Sequence, residues 1–119
     1  MAKTSNEGYT TKEKSLQYEA LNPLLRAMRE EFQELSKKKP DGPVSKGKIS
    51  IANRLLKDVL TVLDSEPNKP YLDLLDEDLL PQNSDVSLIL SQYCASMDSF
   101  RDKFFRYDRE VHGNRWFTK

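Results

Sequence analysis

The sequence predicts an all-α fold, an up-down-up bundle of three long helices with a short acidic helix in the connector between the second and third. Three observations lead there. Leu, Glu, Lys and Asp dominate while glycine occurs only four times in 119 residues, a composition that favours helix over sheet. The run Ile49–Leu63 (ISIANRLLKDVLTVL) carries apolar residues around roughly half of a helix. Two further long segments repeat apolar residues at helical period, and Pro- and Gly-rich breaks separate all three. A chain of this length is expected to form one domain.

The first helix is expected from about Lys12, after a polar stretch, residues 1–11, that reads as a mobile tail. Tyr18, Leu21, Leu24, Leu25, Met28, Phe32 and Leu35 make a stripe roughly 120° wide. Pro23 interrupts it, and Asn22 before a proline resembles an N-cap. The stripe keeps its phase across Pro23, so one kinked helix is favoured over a short helix preceding a longer one. SKKKPDGPVSKG (36–47) then ends the helix in a lysine-rich loop.

The second helix, to about Asp64, is the organising one. Ile49, Ile51, Ala52, Leu55, Leu56, Val59, Leu60, Val62 and Leu63 fill an arc of roughly 180°, which should touch more than one neighbour. Between Pro70 and Pro81, YLDLLDEDLL is expected to form the short acidic helix, a lid on one end of the bundle. From a Ser84 N-cap, Val86, Ile89, Leu90, Tyr93, Met97, Phe100, Phe104, Tyr107 and Val111 hold one phase. The third helix should therefore run to about His112, stop at Gly113, and leave residues 113–119 as a tail. The domain so defined spans residues 12–112.

The net charge is zero, but its layout is uneven. Residues 36–48 hold five lysines and one acid, residues 64–85 hold seven acids and one lysine, and residues 101–119 hold six bases and three acids. In an up-down-up bundle the two basic sets share one pole and the acidic set takes the other. The basic pole offers a partner surface: Lys37, Lys38 and Lys39 in the loop, with Arg106, Arg109, Arg115, Trp116 and Phe117 near the C-terminus. Interleaved aromatics and bases of this kind stack nucleobases and neutralise phosphates, or else anchor a helix end.

Catalytic signatures are sparse. Cys94 is the one cysteine, so no internal disulfide forms, and it borders an apolar stripe as a small hydrophobe would. The acids of 73–85 lack the glycine and alternating order of a calcium loop, and no glycine-rich phosphate loop occurs. No cofactor or metal is expected. No run approaches the ~18 apolar residues that cross a membrane, and the N-terminus has no apolar segment of a secretory leader, so a cytoplasmic protein is expected. Arg106 and His112 stand at R-x5-H spacing. That spacing resembles the R-x(4–6)-H motif of HEPN-family ribonucleases, small helical proteins that pair to build an RNA-cleaving site. The resemblance covers Arg106 to His112 alone and implies those two as catalytic residues. On a straight helix the pair lies about 120° apart, so it converges only at a bend or a helix end. Otherwise His112 simply favours the negative end of its helix. The expected function is a non-enzymatic binding module, a regulatory or accessory subunit acting through a protein partner or a second copy. Nucleic-acid binding through the basic pole comes second and HEPN-like cleavage third.

Overall fold

The computed structural model describes residues 8–119. The expected mobile tail therefore lies largely outside the described residues. The chain is mainly helical: α1 (Lys12–Lys38), α2 (Lys46–Val62) and α3 (Asn83–Phe104), followed by a two-stranded antiparallel sheet, β1 (Phe105–Asp108) and β2 (Gly113–Trp116). The strands correct the all-α expectation.

α1 starts where Thr11 Oγ1 accepts the Lys14 N–H at 3.1 Å, quieting one of the free amides of the first turn. It continues through Pro23 without a break and buries Ser15, Tyr18, Leu25 and Phe32. Asn22 caps nothing; its Oδ1 instead accepts from Arg26 Nε at 3.3 Å. α2 starts on a Ser45 cap, Oγ accepting from Lys48 N at 3.2 Å, and buries Ile49, Ala52, Leu56, Val59 and Val62. α3 buries more residues than either, among them Val86, Leu90, Tyr93, Met97, Phe100 and Phe104. Its cap is Gln82 rather than Ser84, with the Gln82 N–H donating to Asp85 Oδ2 at 2.9 Å.

The start of α3 fixes the topology. Asn83 N–H donates to Gly42 O at 2.9 Å, Ser84 N–H to Pro40 O at 3.0 Å, and Val44 N–H to Pro81 O at 2.9 Å. Asn83 Nδ2 also donates to Lys39 O at 2.9 Å. α3 thus begins beside the α1–α2 loop, not at the far end of α2. At that far end Lys14 meets Asp64 at 2.5 Å and Lys103 meets Glu66 at 2.8 Å. α2 and α3 therefore run parallel to each other and antiparallel to α1. The up-down-up order is corrected: the connector, 64–82, climbs back along α2 before α3 descends.

The acidic helix does not form. Ten residues between two prolines are short of the length at which an unsupported helix holds. The connector stays mostly extended, with 3-10 turns at Lys69–Tyr71 and Glu77–Leu79. Asn53 pins it by donating to Leu75 O and accepting from Leu75 N–H, both at 2.8 Å. Tyr93 Oη donates to Asp73 O at 2.9 Å. Leu75 is buried, while Tyr71, Leu79 and Leu80 stay exposed.

α3 ends at Phe104, about two turns before the expected stop. β1 pairs Phe105 with Trp116 and Asp108 with Gly113. Asp108 Oδ1 accepts from Glu110 N–H at 2.9 Å, and His112 takes a left-handed φ of 55°, so the chain turns back before Gly113. The gain is aromatic. The return strand brings Trp116 to 5.2 Å from Tyr18, 5.9 Å from Phe100 and 5.3 Å from Phe105, ring centre to ring centre. A straight helix would carry it into solvent. Tyr107 and Val111, expected on the helix stripe, are exposed instead. Beyond β2, Thr10 N–H donates to Phe117 O and Lys119 N–H to Thr10 O, each at 2.9 Å, tying both ends of the described chain together.

Candidate interaction groove

The wide apolar arc of α2 divides between two surroundings. Ile49, Leu56 and Val59 are buried in the core, while the exposed Ile51 and the half-buried Leu55, which packs against the edge of that core, line a groove shared with α1. From α1 come Leu21, Leu24, Ala27, Met28, Phe32 and Leu35. The groove holds ≈ 590 Å³. Two large apolar side chains stand at its lips, Leu24 at 58% and Ile51 at 56% exposed. Its charged rim is Glu31 on α1 with Lys48, Arg54 and Asp58 on α2, all exposed. The sequence did not single out this groove. The signal that could have found it was the arc itself: α2 carries more apolar width than one antiparallel neighbour covers.

The two basic segments are not brought together. Lys37, Lys38 and Lys39 lie exposed at the end where α3 begins, and Arg106, Arg109, Arg115, Trp116 and Phe117 lie at the end where it stops. The expected single basic pole is therefore corrected by the parallel course of α2 and α3. The acids are spread likewise. Asp64 and Glu66 pair with lysines at the α3-stop end, while Asp76, Glu77 and Asp78 follow Leu75 toward the lysine loop.

Within the C-terminal set most groups are engaged inside the chain. Two guanidiniums lie over the Phe117 ring, Arg106 at 3.8 Å and Arg115 at 4.2 Å from its centre. Arg106 also donates to Gly8 O, and Arg115 pairs with Asp108. That pairing holds the half-buried Asp108 carboxyl below its ordinary range. Trp116 Nε1 donates to Glu19 Oε2 at 2.8 Å. Lys37 is 3.3 Å from Glu34, Lys39 gives its carbonyl to Asn83, and Arg109 is exposed in the hairpin loop. Arg106 falls on β1 and His112 in that loop, not on the third helix where the apolar stripe placed them. Burial pushes the Cys94 thiol up, away from the thiolate a nucleophile needs. Among the described residues no three His, Cys, Asp or Glu side chains are grouped to hold a metal, and no helix is long and apolar enough to cross a membrane.

Comparison with protein-family models, with curated proteins and with solved structures finds no match.

Proposed function

We propose that the chain is a non-enzymatic helical binding module, a regulatory or accessory subunit of the cytoplasm, that acts through protein–protein contact at the α1–α2 groove. One observation carries this reading: Leu24 and Ile51 stay more than half exposed at the lips of a continuous apolar groove. Scattered exposed apolar residues are ordinary on a protein surface, whereas a contiguous patch bounded by charges marks a contact site. Two antiparallel helices with an apolar trough between them accept further helices, as in helix-in-groove recognition. The interleaved bases and aromatics near the C-terminus are spent on packing and internal pairs, which favours the groove over that cluster as the working surface.

The test is affinity capture from the native host with the wild-type chain and with Ile51→Asp, run side by side. Ile51 is exposed, so the variant should fold, as circular dichroism and melting would verify. The expected result is a partner retained by the wild type and lost from the variant. Equal retention by both would remove the groove from the reading.

A further inference from the structure

We propose that the occupant of the α1–α2 groove is a second copy of this chain, forming a two-fold dimer in which α1 of each copy lies over α2 of the other. This rests on the groove being the contact surface, and it adds the partner's identity. The rim charges carry it. Glu31, Lys48, Arg54 and Asp58 line one apolar groove, two of each sign, and none of the four makes an ion pair among the described residues. A strongly charged partner of either sign would meet two like charges there. A surface that carries both signs equally complements itself.

The geometry places the signs correctly. A two-fold axis parallel to the helices leaves every residue at its own height and sets α1 of the partner copy antiparallel to α2. Glu31 lies about 10 Å from the C-terminal end of α1. Lys48 and Arg54 lie about 3 and 12 Å from the adjoining start of α2. Glu31 of one copy then falls between Lys48 and Arg54 of the other, within reach of both flexible side chains, while Asp58 sits one turn beyond Arg54 on its own helix. The two-fold repeats the arrangement on the opposite rim. By the same measure Ile51, about 7.5 Å from that end, falls opposite Phe32 and Leu35 of the other copy, at about 9 and 4.5 Å, and Leu55 falls opposite Met28, giving an antiparallel four-helix layer of α1, α2 and their mates. The chain's net charge of zero means that two copies approach without mutual repulsion.

Sedimentation equilibrium of the full chain tests this. The expected result is a reversible dimer in the micromolar range or tighter. Ile51→Asp should weaken it by at least about tenfold, because a carboxylate would be buried against leucine. Glu31→Lys should weaken it as well, and so should the double change Lys48→Glu with Arg54→Glu. Mixing those two charge variants should restore a dimer made of one of each. A wild-type chain that stays monomeric overturns self-pairing; the groove then stands or falls on whether Ile51→Asp loses a partner in affinity capture. A dimer that Ile51→Asp leaves unchanged, or charge variants that do not rescue each other, overturns the arrangement while the folded state of each variant is checked by circular dichroism.

Discussion

Tyr93 shows how a single residue ties the core to the connector. The whole side chain is buried in α3, and its hydroxyl is satisfied by donating to the Asp73 carbonyl at 2.9 Å. Burial chiefly, with help from the Asp73 carboxylate, pushes its pKa from 10.0 up to about 12. The neutral phenol is thus preferred by the folded state. The stability this contributes is fully present below pH 10 and is lost as pH rises through about 12. Denaturant titrations from pH 9 upward should show the wild type losing stability across that window more steeply than Tyr93→Phe. At neutral pH the same variant should be less stable by about 1 kcal/mol, since the Asp73 carbonyl loses its donor. Parallel pH profiles for the two proteins would contradict this account. Gly42 is a second residue with one clear job. A Cβ there would come to 2.9 Å from Asn83 Nδ2 and 3.2 Å from the Lys39 side chain, so the absence of a side chain lets α3 start against the loop.

At the scale of elements, the connector behaves as a strut rather than a lid, and Asn53 is where it is fastened. Asn53→Ala removes both hydrogen bonds to Leu75 and leaves a partly buried amide and carbonyl unpaired. The variant should lose about 2 kcal/mol in chemical denaturation, and hydrogen exchange of residues 72–80 should rise more than that of α1. Uniform exchange across the chain would mean that the connector is not held locally. The first two helices were legible because caps, breakers and period agree: Thr11 and Ser45 begin them, and the Pro40–Gly42 turn separates them. The end of α3 was not legible. Phe104, Tyr107 and Val111 keep helical phase whether or not the helix continues, and the residue that decides the matter, Trp116, lies past any local window. The contacts of its ring with Phe100 and with Tyr18, the latter nearly a hundred residues earlier, favour the hairpin. The groove was half legible: the width of the α2 arc was visible, but not which part of it the core would leave uncovered.

For the whole molecule, the direction of α3 decides where every charge and surface lies, and it depends on a connector whose sequence permits either course. A 19-residue segment, 64–82, could close a tight corner or climb beside α2, because fully extended it reaches over about 60 Å. What selects the climb is tertiary: Asn53 and Tyr93 hold its middle, and the Gly42 turn receives its end. The two courses differ by the length of α2, about 25 Å, in the distance from the lysine loop to the start of α3. Pro43 and Gln82 form an antiparallel bridge in this fold. Residues directly opposed in such a bridge have Cα atoms about 4.5–5.5 Å apart, inside the range a disulfide spans. Pro43→Cys with Gln82→Cys, in a Cys94→Ala background that leaves no competing thiol, should therefore oxidise to an intramolecular disulfide under mild conditions. The oxidised protein should melt at a higher temperature than its reduced form, since the closed loop of about 40 residues constrains the unfolded chain. In an up-down-up bundle the same two thiols would sit at opposite poles. Failure to cross-link in the folded protein, with cross-linking only after denaturation, would restore that topology and with it the single basic pole.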